Sequence, residues 1–90
     1  AMKVLVLRFS SIGDIVLTTP VVRVLHEQAG AEVHFLCKKA FATVLDGNPY
    51  LHKLWTFDKE VDEVLKDLKQ ERFDWVIDLH HNLRSLRVKT

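Results

Sequence analysis

The chain has 90 residues, 48% of them hydrophobic and 28% charged, with a formal net charge of +1 at pH 7. That composition suits one small globular domain and argues against a disordered segment, and a charge this close to balance argues against a dedicated nucleic-acid binder. No apolar run nears the roughly 20 residues that a membrane-spanning helix needs.

Ala1 ahead of Met2 reads as a cloning remnant and is left out of the pattern. Lys3 to Arg8 is a short, nearly continuous apolar run, as expected of a strand buried on both faces of a parallel sheet. That run is too short for a secretory signal and no cleavage site follows it, so the expected location is cytoplasmic. A loop, Phe9 to Gly13, comes next. From Asp14 to Ala29 the apolar residues Ile15, Val16, Val21, Val22 and Leu25 recur at helical spacing, with Pro20 among them. Either one helix bends at the proline, the favoured reading, or its regular part begins with Thr19 as N-cap and Pro20 in the first turn. Gly30 is the expected C-cap.

Ala31 to Cys37 reads as a second strand. Its single cysteine has no disulfide partner in the chain and is expected to behave as a small buried hydrophobe. Lys39 to Leu45 suggests a short helix, stopped by four successive turn formers, Asp46 to Pro49. Leu51 to Phe57 reads as a third strand. Asp58 is placed to cap a third helix, whose stripe is Val61, Val64, Leu65 and Leu68. Phe73 to Leu79 reads as a fourth strand, and Leu83 to Thr90 as the opening turns of another helix. Strands and helices alternating at this spacing predict right-handed crossovers and a doubly wound parallel α/β sheet in the order 3-2-1-4. Such a sheet is expected to continue beyond the fourth strand. The chain is therefore expected to be an incomplete domain, and its open edge and apolar faces predict self-association.

In an open α/β sheet, ligands bind beyond the carboxyl ends of the strands where the strand order reverses. Here that point lies between the first and fourth strands, whose exit loops are Arg8 to Asp14 and Leu79 to Ser85. The first loop has one glycine, Gly13, where a dinucleotide fingerprint needs three, and it lacks the glycine-lysine ending of a phosphate-binding P-loop. The carboxylate of Asp14 would also repel a pyrophosphate at the helix start. Asp14 is then either a first-turn or capping acid favoured by the helix dipole, or a general base aimed into the cleft. A helix terminus would keep it ionised and make it a weak base, which suffices where the attacking hydroxyl loses its proton late. Ser10 and Ser11 either bond a polyol or satisfy the loop backbone, and Gly13 answers a turn or a close approach. His80 and His81 are adjacent on a loop with no Cys or carboxylate cluster, so no metal is expected there. Arg84 sits where the dipole does not favour a cation, consistent with an anionic ligand or with a solvated surface.

The run Val6 to Pro20, with Arg8-Phe-Ser-Ser-Ile-Gly-Asp14 at its centre and Thr18-Thr-Pro20 at its end, resembles the opening of glycosyltransferase family 9, the ADP-heptose:lipopolysaccharide heptosyltransferases. Asp74 to Ser85 resembles the second signature of that family, with His80-His81 standing where the family usually has Gln-Gly. The resemblance implies a GT-B enzyme of two Rossmann-like domains. Residues 1–90 would be an incomplete N-terminal, acceptor-side domain, inactive alone and without the C-terminal nucleotide-sugar domain. It implies inverting transfer of heptose from ADP-heptose to the lipopolysaccharide inner core, on an acceptor anchored by lipid A. No metal or other cofactor is implied, and the cytoplasmic location would extend to peripheral contact with the inner face of the inner membrane. Asp14 falls on the family's proposed catalytic base. Arg8, Ser10, Ser11, Gly13, Asn82, Arg84 and Ser85 match its acceptor-side loops, and the arginines suit an acceptor decorated with phosphates and carboxylates. The alternatives are a small flavodoxin-like module for nucleotide, flavin or signalling, and a structural fragment without a ligand. A receiver role is opposed by Arg8-Phe9 where an acidic pair is needed, and Ser10-Ser11 poorly imitates a flavin phosphate loop.

Overall fold

A computed structural model of the chain describes residues 2–9 and 11–79, together with the backbone of Arg84–Arg87. The elements run β1 (Lys3–Leu7), α1 (Ile12–Leu17), α2 (Thr19–Ala29), β2 (Glu32–Lys38), a short 3-10 helix (Lys39–Val44), β3 (Lys53–Phe57), α3 (Asp62–Glu71), β4 (Trp75–Asp78) and β5 (Arg84–Arg87). The sheet order is β3-β2-β1-β4-β5, parallel across its first four strands. The doubly wound α/β arrangement and the neighbouring positions of β1 and β4 are as the apolar runs predict.

Both faces of the sheet are covered, which is why β1, at its centre, carries only apolar residues between Lys3 and Arg8. Val4, Val6, Val33, Phe35 and Ile77 point to one side and pack with Ile15 of α1, Val22 of α2 and Leu45. Leu5, Leu36, Trp55 and Phe57 point to the other and pack with Leu68 of α3 and Phe73. Cys37 lies in the first of these layers, and desolvation pushes its thiol up to about 11, so it stays protonated at neutral pH.

The helical run after β1 is broken in two, a sharper change than a bend. Pro20 has no N–H to give the Val16 carbonyl four residues back, and its ring crowds that carbonyl. The Thr19 hydroxyl donates to the Val16 oxygen instead, at 2.8 Å. Thr18, not Thr19, is the joint: it caps both helices, it is buried, and its hydroxyl donates to the Ile15 carbonyl at 2.6 Å. Gly30 ends α2 at φ 62, a left-handed angle that explains the glycine. Before α3 the capping is done by Glu63, whose carboxylate accepts the N–H groups of Asp58, Lys59 and Glu60. Asp58 therefore lies upstream of the helix and does not cap it. Between the 3-10 helix and β3, the Asn48 side chain accepts the Tyr50 N–H at 2.8 Å.

The segment after β4 departs from expectation. Arg84–Arg87 is a strand, antiparallel to β4, with Trp75 opposite Arg87 and Asp78 opposite Arg84. Four residues gain little from helix propagation, whereas the open edge of β4 offers a complete row of backbone partners. Residues 80–83 and 88–90 lie outside the described residues. On the α3 side, an apolar groove of about 550 Å3 is floored by Leu5, Leu7 and Val76 and walled by Val61, Leu65 and Leu68.

Candidate functional site

Parallel pairing of β1 with β4 brings the two exit loops together, and the Leu79 N–H donates to the Leu7 carbonyl at 2.9 Å. Arg8 then reaches sideways across the seam. Its Nη1 donates to the Leu79 carbonyl at 2.7 Å and its Nη2 lies 2.8 Å from Asp14 Oδ2. Ser11 is the N-cap of α1, and its hydroxyl donates to the same Oδ2 at 3.0 Å. Asp14 thus stands in the first turn of α1 with its side chain 48% exposed, facing solvent rather than the core. Arg8, Asp14, Leu17, Thr18, Val21 and Leu79 line an open cleft of about 370 Å3.

The electrostatics follow from those contacts. The Ser11 hydroxyl, then the Arg8 guanidinium, hold the Asp14 carboxyl below the usual aspartate value, and the Ser11 backbone helps. Asp14 is consequently ionised throughout the neutral range and a weak base. One oxygen takes both side-chain contacts, while the group borders a cleft. That cleft is anionic on the α1 side, where a phosphate cradle would need donors.

Of the residues singled out in the sequence, Arg8, Ser11 and Asp14 are brought into direct contact. Gly13 is in α1, and a Cβ there would meet nothing within 4 Å, so no close approach by a described group demands the glycine. Ser10 and Asn82 lie outside the described residues, as do His80 and His81. Arg84 and Ser85 are placed by backbone register only, opposite Asp78 and Ile77 on β5, beside the carboxyl end of β4. Sequence reasoning missed Leu17, Thr18 and Val21 as cleft walls, because Val21 read as part of the apolar helical stripe and Leu17 and Thr18 as positions within the same helical run. The proline-induced break was the available signal.

A second polar cluster lies at the opposite, amino-terminal end of the strands. Atoms of Glu32, His34 and His52 lie within 4.8 Å of one another, a spacing that would suit a metal ion. The hydrogen bonds oppose that use. The Trp55 indole N–H donates to His34 Nδ1 at 2.9 Å, so the proton of the neutral ring sits on Nε2 and is donated to Glu32 Oε2 at 2.8 Å. A metal on Nε2 would need Nδ1 to carry the proton and face an indole that can only donate. The cluster is better described as a buried hydrogen-bond chain, Trp55 to His34 to Glu32. Lys3 and Glu71 adjoin it, joined at 2.7 Å.

This chain makes folding stability sensitive to acid. Desolvation lowers the His34 pKa below its ordinary 6.5, against the pull of Glu32. The unfolded chain therefore binds a proton that the folded chain refuses, and stability falls as pH drops below 6.5. Glu32, Glu63 and Glu71 are lowered from 4.5 by His34, by backbone N–H groups and by Lys3 respectively, so their contributions are present above 4.5 and are lost below it. Urea midpoints followed by tryptophan fluorescence are expected to fall in two stages, the first below pH 6.5 and the second below pH 4.5. A flat profile between these values would refute the role given to His34.

No protein-family model matches the chain, and no curated protein does. Solved structures do. A glycosyl transferase family 9 protein from Veillonella parvula DSM 2008 superposes with a TM-score of 0.80 at 26% identity, over 90% of this chain and 26% of that one. E. coli heptosyltransferase WaaC, solved with ADP, superposes with a TM-score of 0.65 at 21% identity, over 86% of this chain and 27% of its own. The fold is thus one found within glycosyltransferases of family 9, and the chain spans about a quarter of the length of these structures. Among the described residues no helix is long and apolar enough to cross a membrane.

Proposed function

We propose that this chain is the acceptor-side part of an inverting glycosyltransferase of family 9, with Asp14 as the base that deprotonates the acceptor hydroxyl. The observation that carries the proposal is the placement of Asp14: an ionised carboxylate, bordering a cleft, at the reversal point of a doubly wound sheet. The motif around it and the structural likeness to family 9 support the same reading.

In an inverting transfer the acceptor oxygen attacks the anomeric carbon from the face opposite the leaving group. The new carbon–oxygen bond forms as the bond to the nucleoside diphosphate breaks, and the diphosphate departs with the electron pair. The acceptor proton passes to Asp14, late enough that a weak base suffices. The apolar side of the cleft, Leu17, Val21 and Leu79, suits the carbon face of a sugar ring, and the sequence resemblance supports Arg84, opposite Asp78 in the register of β4 and β5, as a partner for acceptor phosphates. ADP in the E. coli heptosyltransferase structure supports an ADP-activated donor, and the sequence resemblance supports heptose as the sugar and the lipopolysaccharide inner core as acceptor. Donor binding would belong to a second domain, in an enzyme working peripherally at the inner membrane.

The test is a transfer assay on a polypeptide that joins this segment to a nucleotide-sugar domain. Incubated with ADP-heptose and a heptose-deficient lipopolysaccharide, it is expected to release ADP and extend the acceptor, whereas the 90-residue chain alone does neither. Failure of the joined, folded polypeptide to release ADP with any core acceptor would remove the proposal.

A further inference from the structure

The resemblance makes Arg8 an acceptor-binding residue, but the geometry points to another use. We propose that Arg8 is a positioning residue, which anchors itself on β4 and fixes Oδ2 of Asp14, so that Oδ1 is the oxygen presented to a hydroxyl in the cleft. This inference rests on the reading of Asp14 as the base.

Three observations carry it. First, Arg8 is largely withdrawn from solvent, its side chain 17% exposed, whereas an arginine reaching for a ligand would stand further out. Second, its two terminal nitrogens divide their work between the residue that follows β4 and the first turn of α1. Nη1 binds the Leu79 carbonyl just beyond β4 at 2.7 Å, and Nη2 meets the Asp14 carboxylate on α1 at 2.8 Å. The planar guanidinium keeps these two bonds at a fixed mutual angle, which a flexible ammonium would not. Third, the Ser11 hydroxyl adds its bond to the same Oδ2, so both side-chain contacts load one oxygen. An aspartate has one bond, χ2, about which its two oxygens exchange places. Tethering one oxygen from two sides stops that exchange and selects the other for proton transfer. The orientation of Asp14 is thereby tied to the β1–β4 seam, the same seam that creates the cleft.

A residue that only stapled β1 to β4 would leave the titration of Asp14 untouched, and that distinction supplies the test. The carboxyl carbon of Asp14 is titrated by NMR in the 90-residue chain and in the variants Arg8→Gln and Arg8→Lys. The expected result is an upward shift of the Asp14 midpoint in Arg8→Gln, with partial return in Arg8→Lys, which keeps the charge and loses the fork. An unshifted midpoint in a folded Arg8→Gln variant would overturn the proposal. Should that variant not fold, the guanidinium signals of the wild-type chain decide. Resolved, slowly rotating Nη–H signals that collapse as Asp14 takes up its proton support the tether, and averaged signals indifferent to that titration overturn it. Neither measurement involves sugar transfer, so a failure here is separable from a failure of the base assignment, which Asp14→Asn tests.

Discussion

Asp14→Asn in an enzyme that carries this segment is expected to lower the transfer rate by about 10²–10⁴-fold, the usual contribution of a positioned general base. The amide is nearly the same size, still accepts the Ser11 hydroxyl through its oxygen, and loses only charge and basicity. Because the side chain is half exposed, the fold should survive, and circular dichroism should match the parent. The loss is expected in kcat, with KM for the acceptor little changed, because proton removal belongs to the transition state. The carboxyl is held below 3.8 by Ser11 and Arg8, so the proposed base would be ionised from there upwards and its acid limb is expected below that value. Steady-state rates across acid and neutral pH check both statements. Near-parental turnover by Asp14→Asn would leave the residue as a capping acid and nothing more.

Trp55→Ala is expected to destabilise the chain by about 3–5 kcal/mol, the usual cost of emptying an aromatic site in a core. Against a total of about 5–15 kcal/mol for a domain, such a loss brings this small chain close to unfolding at room temperature. Trp55 is 8% exposed, packs with Leu36, Phe57 and Leu68, and carries Lys53 Nζ 4.0 Å above its ring. Trp55→Phe separates packing from hydrogen bonding. It refills most of the space but leaves His34 Nδ1 buried without its donor, at a cost of about 1–3 kcal/mol at neutral pH. It also removes the N–H that a second proton on His34 would oppose. The groups then facing the imidazole are Glu32 on its own strand, His52 ahead of β3, Phe73 before β4, and the Lys3–Glu71 pair from β1 and α3. The folded pKa of His34 should rise towards 6.5, so the decline in stability below that pH should become shallower than in the parent. Urea unfolding of both variants over a pH series measures the two effects separately. An unchanged slope in Trp55→Phe would show that the indole does not govern His34.

Most of the architecture was legible in the residue order because each element announces itself locally. The nearly unbroken apolar run of β1 marks a strand buried on both faces, and the Val61 to Leu68 stripe marks α3. Gly30 marks a helix end through the one backbone angle that glycine accepts readily. Alternation of strands with helices, joined to the right-handedness of crossovers, then leaves few sheet orders to choose from. The fate of the last segment was not legible, because Arg84 to Arg87 carries no periodicity strong enough to choose between helix and strand. The open edge of β4 made that choice. Thr18 likewise reads as one more residue of a helical run, and only the competition between Pro20 and the Val16 carbonyl makes it the joint.

The candidate site divides in the same way. By itself the sequence determined that an acid, two hydroxyls and an arginine lie on the loop leaving a central strand, since loop position and residue chemistry are local properties. Only the tertiary structure decided that Arg8 turns to Leu79 and Asp14, and that Trp55 sets the tautomer of His34. The contacts of Arg8 with Leu79 and of Trp55 with His34 join residues far apart in the chain, and their partners are selected by which strands lie side by side and which faces they share. No pattern along a single segment carries that information.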